Sequence, residues 1–164
     1  MTKAYIGLGA NLGDPPAQLR RALQAIATVP GVRLLAQSRL YRSDAIGVAN
    51  QPDYCNAACM VETQLAPEPL FEQLVAIERA AGRVRDGTRW GPRVLDLDLL
   101  HYEGVSCDTP RLRLPHAELA RRNFVLVPLQ EIAPTLVLPE LGPIAGLVDA
   151  AGDTGLSLWP EKSG

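Results

Sequence analysis

Between Gly82 and Leu100 the chain reads GRVRDGTRWGPRVLDLDLL. Arg83, Arg85, Arg89 and Arg93 are spaced by Gly82, Gly87 and Gly91, and Asp96 and Asp98 then alternate with Leu95, Leu97 and Leu99. A period of two predicts a half-buried strand with both aspartates on one face and the leucines on the other. Two residues along a strand span roughly 6.6–6.8 Å. Carboxylates at that spacing can converge on two divalent ions about 3.5–4 Å apart. Guanidinium groups grip phosphate oxygens in a planar, bidentate way. Acids for a metal beside arginines for an anion suggest a polyphosphate site. An isolated Asp-x-Asp is common, and a run of arginines is most often a solvated surface. Their adjacency favours chemistry, because two carboxylates backed by an apolar strand face cost stability unless a cation faces them.

Further candidates flank this stretch. Tyr54 and Asn56 share a strand face by the same period of two. A ring with an amide two residues on could stack on a planar heterocycle and hydrogen-bond to its edge. From the residues alone, Tyr54 could equally well just pack, with Asn56 capping the strand edge. Glu78 lies beside the apolar stripe of a helix. His116 falls in a turn before Arg121, Arg122 and Phe124, and His101 reads as a peripheral side chain rather than a ligand.

The elements that must position these groups follow from the pattern. Ala4 to Leu8 predicts a first strand running into GLGANLGD. Gly7, Gly9 and Gly13 miss the dinucleotide fingerprint by one place, and no acid ends the second strand, so a Rossmann fold is rejected. The glycines are read instead as shaping a tight strand-to-helix turn. Asp14-Pro15-Pro16 starts a helix with Leu19, Leu23 and Ile26 on its buried stripe. Val32 to Gln37 predicts a second strand, extendable to Arg42, and Tyr54 to Glu62 a third. Pro67 opens a second helix with Leu70, Leu74, Ile77 and Ala81 inward, ended by Gly82. The Asp-x-Asp strand comes next. A short extended piece at Leu112–His116, an apolar helix over Phe124–Ile132 containing Pro128, a last helix at Ile144–Ala151 and an edge strand at Ser157–Trp159 complete the chain. The order matches an α+β, ferredoxin-like split βαβ sandwich: an antiparallel sheet with helices packed on one side, the other face carrying Asp96, Asp98, Tyr54 and Asn56. Two long segments, Ser43–Asp53 and Arg83–Arg93, read as lids that exclude water.

Composition sets the outer limits. The 164 residues suit one domain spanning 1–164, with 47% apolar and 21% charged residues. A net charge of −2 gives no global basic field for nucleic acid. No apolar run approaches the ~18 residues of a membrane span. Cys55, Cys59 and Cys107 form no Cys-x-x-Cys pair, and there is no signal-peptide pattern, so reduced thiols in the cytoplasm are expected.

The long motifs carry a family resemblance. GRxRxxxRWGPRxLDLDLL, then LPH and RxFVLxPLxEIAP, together with AYIGLGANLGD, SxLYRSxxIG and QPDYxNAA, resemble the 6-hydroxymethyl-7,8-dihydropterin pyrophosphokinases of folate biosynthesis, from about Ala4 to Pro134. The resemblance implies transfer of a pyrophosphoryl group from ATP to the pterin hydroxymethyl, releasing AMP with no covalent intermediate. It implies two magnesium ions on Asp96 and Asp98, and a pterin between Tyr54 and Phe124. Asn56 would bond the pterin edge with groups around Ser43 and Ile46. Arg83 and Arg93 would close over the reacting groups, and Trp90 would stand among both the ATP and the pterin contacts. ATP contacts would fall to Glu78, Arg85, Leu99 through its backbone, Arg111, His116 and Arg122. The chain departs from the family pattern at Ala45, Val75, Asp86 and Ala117, where a proline, a glutamine, a basic residue and an aromatic occur among members. A two-metal nuclease or nucleotide-sugar transferase would use Asp96 and Asp98 but leaves Tyr54, Asn56 and Phe124 unexplained. A ferredoxin-like nucleic-acid-binding module would need more aromatics and more positive charge. The expected partners are therefore small molecules, with no nucleic acid or membrane and a monomeric chain.

Overall fold

The computed structural model describes residues 1–44, 53–82 and 95–160. The expected lids, apart from Ser43, Asp44 and Asp53, lie outside the described residues, and so do Ile46, Arg83, Arg85, Arg89, Trp90 and Arg93.

Strands β1 (Thr2–Ala10), β2 (Val32–Gln37), β3 (Tyr41–Ser43), β4 (Tyr54–Thr63) and β5 (Asp96–Tyr102) build the sheet with helices α1 (Pro15–Ala27) and α2 (Pro67–Ala80) between them. Short strands β6 (Cys107–Asp108) and β7 (Arg113–Leu114) follow, then a 3-10 turn at Leu119–Arg121 and α3 (Asn123–Ile132). The tail adds the hairpin β8 (Val137–Leu138) and β9 (Gly142–Pro143), α4 (Ile144–Ala151) and β10 (Leu156–Leu158). The sheet is antiparallel in the order β10-β3-β4-β1-β5, with β2 also paired to β4. The extension expected beyond Gln37 is a separate strand, β3, and the edge strand expected at the C-terminus is β10 on β3.

Alternation decides what each face buries. Ala4, Ile6, Leu8 and Ala10 of β1 join Cys55, Ala57, Cys59 and Val61 of β4 and Leu95, Leu97 and Leu99 beside and on β5. Leu19, Leu23 and Ile26 of α1 and Leu70 and Leu74 of α2 close this layer. Each fully buried leucine contributes about 1.5–3 kcal/mol. Asp14 caps α1 by accepting the Ala17 N–H at 3.3 Å, ahead of the two prolines. Burial pushes the Cys55 and Cys59 thiols up to about 12, which keeps them protonated and inert in this core.

The split βαβ core thus has α1 and α2 on one side, and the tail adds a partial layer on the other. Leu126 and Leu129 of α3, with Leu138 and Ile144, cover Tyr5, Ala58 and Leu100. Glu131 on α3 accepts from the Arg39 N–H (2.7 Å), Arg39 Nε (3.0 Å) and the Tyr41 hydroxyl, which ties α3 to β3. Burial, reinforced by the bond to Glu131, pushes the Tyr41 phenol up to about 12, so it stays a donor. His101 is a correction to the expectation of a peripheral side chain. It is buried, with its ring stacked on Tyr5 at 5.9 Å between centroids. The reason is a register shift: Ile6 faces Leu99 but Tyr5 faces His101, so Leu100 is an extra residue. That bulge breaks the alternation and turns Leu100 and His101 to the same side.

Candidate active site

The tail helices leave one end of the second face open. There a cleft of about 400 Å³ is floored by β1, β4 and β5 and walled by α3 and the turn before it. Its size falls within the roughly 300–1,000 Å³ of small-molecule sites.

The floor begins with two missing side chains. Gly7 and Gly9 lie within β1 and pair with Asp98 and Asp96 across β5, and Gly9 also pairs with Asn56 on β4. The expectation of a strand-to-helix turn is therefore corrected for both, because β1 continues to Ala10. A Cβ on Gly9 would stand 3.3 Å from Asn56 Oδ1, and one on Gly7 would stand 3.3 Å from the Leu100 side chain. Gly9 therefore leaves room beside Asn56 at the floor of the cleft, and Gly7 leaves room for Leu100.

Asp96 and Asp98 both line the cleft and are half-buried, while Leu95, Leu97 and Leu99 lie in the core behind them. Their position on β5 is fixed from the rear. Glu78, expected to meet ATP, is buried between α2 and β5, where its carboxylate accepts the Leu97 N–H at 2.8 Å. By alternation the Leu99 backbone groups point to the same outer edge of β5 as the Leu97 N–H. A divalent cation fits the two acids: hard carboxylate oxygens on one face, reachable from the cleft. Among the described residues no third His, Cys, Asp or Glu completes a metal-holding group. Substrate oxygens and water would fill the remaining positions, as magnesium commonly allows.

The second wall meets the acids through His116, and Arg122 lines the same cleft. The His116 backbone N–H donates to the Leu100 carbonyl at 2.9 Å, which docks the turn on β5. Its Nδ1 accepts the Glu118 N–H at 3.2 Å, so the neutral ring carries its proton on Nε2. Nε2 lies 3.7 Å from Asp98 Oδ1. Burial, with Arg122 adding to it and Asp96 and Glu118 opposing, holds the imidazole below its usual range. The ring lines a neighbouring hollow of about 330 Å³ rather than the cleft itself. Arg122 lines the cleft, and its guanidinium lies 5.8 Å from the Phe124 ring centroid. Arg111 is held elsewhere, on Glu72 of α2 at 3.1 Å.

The third group comes from β3 and β4. Ser43, Tyr54, Asn56 and Phe124 all line the cleft. Asn56 is buried, and its Nδ2 donates to Ser43 Oγ at 2.7 Å. It sits inside the sheet, between β1 and β3, not at an edge. Asp44, Glu118, Arg121 and Val125 also line the cleft and were not among the expected residues. The glycines could have been found from Gly-x-Gly falling on a strand with a period of two. The residues of the 3-10 turn carry no such periodicity.

Comparisons with known proteins identify the family and the fold. A family model described as 7,8-dihydro-6-hydroxymethylpterin-pyrophosphokinase matches residues 5–134. A 2-amino-4-hydroxy-6-hydroxymethyldihydropteridine pyrophosphokinase of Methylorubrum extorquens is 49% identical over 138 residues, covering 84% of this chain and 87% of the relative. The enzyme of that name from Pseudomonas aeruginosa is 44% identical over 158 residues, covering 96% and 97%. Among solved structures, Plasmodium falciparum HPPK-DHPS with pteroate superposes with a TM-score of 0.72 at 12% identity, over 91% of this chain and 42% of that one. At that identity the likeness speaks for the fold, and this chain spans less than half of that fused protein.

Proposed function

Because the chain belongs to the 7,8-dihydro-6-hydroxymethylpterin-pyrophosphokinase family, we propose that it transfers the pyrophosphoryl group of ATP to 6-hydroxymethyl-7,8-dihydropterin in folate biosynthesis and releases AMP. The observation that carries this reading is the convergence on one cleft of two acids, an amide, an arginine and two aromatic rings: Asp96, Asp98, Asn56, Arg122, Tyr54 and Phe124. The hydroxymethyl oxygen attacks the β-phosphorus and gives up its proton to solvent, the bond to the α–β bridging oxygen breaks, and AMP leaves with that oxygen. No covalent enzyme intermediate is needed, because this chemistry asks for positioning and charge neutralisation.

In this reading Asp96 and Asp98 would hold two magnesium ions, which would supply positive charge to the phosphate oxygens and to the attacking hydroxyl. Asn56 and Ser43 bond the pterin edge while Tyr54 and Phe124 take its faces. Arg122 receives phosphate oxygens, and neutral His116 offers its Nε2–H beside Asp98. The Leu99 backbone offers an open strand edge to the adenine. Glu78 acts as a positioning residue through Leu97. Arg111 would have to leave Glu72 to reach ATP. Arg83, Arg85, Trp90, Arg93 and Ile46 keep the roles the family implies. The chain works as one domain over 1–164, as a cytoplasmic monomer without nucleic-acid or membrane partners.

The test is direct. The protein is mixed with ATP, magnesium and the hydroxymethyl dihydropterin, and the nucleotide products are separated. AMP and the pterin pyrophosphate are expected; ADP, or no turnover, would overturn the reading.

A further inference from the structure

We infer that residues Asp153 to Trp159 form a strap that positions the two walls of the cleft against each other and so sets the width of the slot for the flat substrate. The strap lies beyond residue 134, where the family match ends. Its end β10 pairs with β3, with Leu156 facing Ser43, Ser157 facing Arg42 and Leu158 facing Tyr41. The Trp159 N–H donates to the Leu40 carbonyl at 2.9 Å, and the Arg42 guanidinium lies 4.9 Å from the Trp159 ring centroid. These contacts hold the strap to the wall that carries Ser43, the partner of Asn56.

Two residues before β10 the strap reaches the other wall. The Thr154 carbonyl accepts from Asn123 Nδ2 at 3.0 Å. Asn123 is the first residue of α3 and immediately precedes Phe124. Between the two attachments lies Gly155, at φ 74°. A Cβ there would stand 3.0 Å from Asp44 Oδ2, and Asp44 itself lines the cleft. A side chain at 155 would be strained by its backbone and would push Asp44. The strap therefore needs glycine where it passes the cleft rim. Leu158 is 47% exposed and Leu156 only half-buried, so β10 adds little to the core. Apart from Trp159, which packs on the rim of the main core, the strap's contacts fall on the residues that flank the slot.

The inference rests on the pterin reading above for its ligand but not for its geometry. The strap lies at the β10 edge of the sheet, and the acids lie on β5 at the opposite edge. Loosening it should thus weaken the pterin more than ATP, of whose contacts only Arg122 adjoins Asn123. In the full chain, Asn123→Ala and Gly155→Ala should each raise the Kd for 6-hydroxymethyl-7,8-dihydropterin about fivefold, roughly the effect of one lost hydrogen bond. The Kd for magnesium-ATP should stay within about twofold. The double variant should lose less than the product of the two, because either change alone already loosens the same strap, one at Asn123 and the other at Asp44. Amide hydrogen exchange without ligand should quicken at Ser43 and Asp44 and at residues 123–126 in both variants. Unchanged pterin affinity, or equal losses of pterin affinity, ATP affinity and thermal stability, would overturn the strap. If the unaltered protein takes no pterin at all, the function reading fails, and the exchange data still decide: walls unaffected by Asn123→Ala overturn the inference, and walls loosened by it uphold it.

Discussion

On the side of α1 and α2, β1 presents Ala4, Ile6, Leu8 and Ala10, while on the other side the same strand presents Tyr5, Gly7 and Gly9. The first face is apolar from end to end. The second is graded: Tyr5 is bulky and covered by the layer of α3, and the two glycines beyond it are left open. β4 and β5 follow suit, with Ala58 and Leu100 under the tail and Asn56, Asp98 and Asp96 in the cleft. The comparison teaches that stability and chemistry are divided within single strands. The packed face fixes the register, and the register delivers the polar residues to one spot.

Opposite faces should therefore fail in opposite ways. Asp98→Ala should lower kcat/KM by about 10³-fold or more, the scale of removing a key group for transition-state charge. Its thermal midpoint should stay close to that of the parent. Retained magnesium-dependent turnover would refute the role given to Asp98. Ile6→Ala, one residue from Gly7 but on the packed face, should cost about 2–5 kcal/mol in denaturant unfolding. The fraction that remains folded should keep its kcat. A loss of kcat without a loss of stability would mean that the two faces are not independent.

Gly9→Ala sharpens the division at the floor of the cleft. The new methyl group meets Asn56 Oδ1 at 3.3 Å, so the amide must give way or the substrate must. Pterin affinity should fall about tenfold, equivalent to roughly 1.4 kcal/mol, with unfolding little changed. Titration of the variant with pterin, compared with its melting curve, checks both halves. An unchanged affinity would show that the glycine does not clear space for the ligand.

The strand faces were legible because their signal is local. Asp96 and Asp98 had to share a side once Leu95, Leu97 and Leu99 were buried, and the register with β1 keeps them so. Asp14 and the prolines after it announced α1, and Ile144–Ala151 was readable as a helix to its ends. What was hidden depends on contacts between distant segments. Nothing near Glu78 says that its carboxylate ends on Leu97 N–H. Arg121 and Glu118 reach the cleft through a 3-10 turn with no repeating pattern. Gly7 and Gly9 carry no side chain to show a strand's alternation, and only the β1–β5 register reveals the floor they leave. The burial of His101 is hidden because one extra residue in β5 cancels the alternation.

That bulge also yields the smallest effect. Burial holds the His101 imidazole below its usual 6.5, with the Glu103 carboxylate pulling weakly the other way, and Tyr5 stacks on the ring. His101 Nδ1 is buried and has no hydrogen-bond partner among the described residues. Protonation is therefore easier in the unfolded chain than in the native one. As pH falls below about 6.5 the unfolded state takes up the proton first, so stability declines through that window and levels off below the native pKa. His101→Phe keeps the stack on Tyr5 and removes both the titration and the orphaned nitrogen. At neutral pH its stability should differ from that of the parent by less than about 1 kcal/mol. Thermal midpoints between about pH 5 and 8 should fall less steeply on the acid side for the variant. Parallel curves would mean that His101 gains its proton as readily folded as unfolded, and that the covered end of this face is wetter than its packing implies.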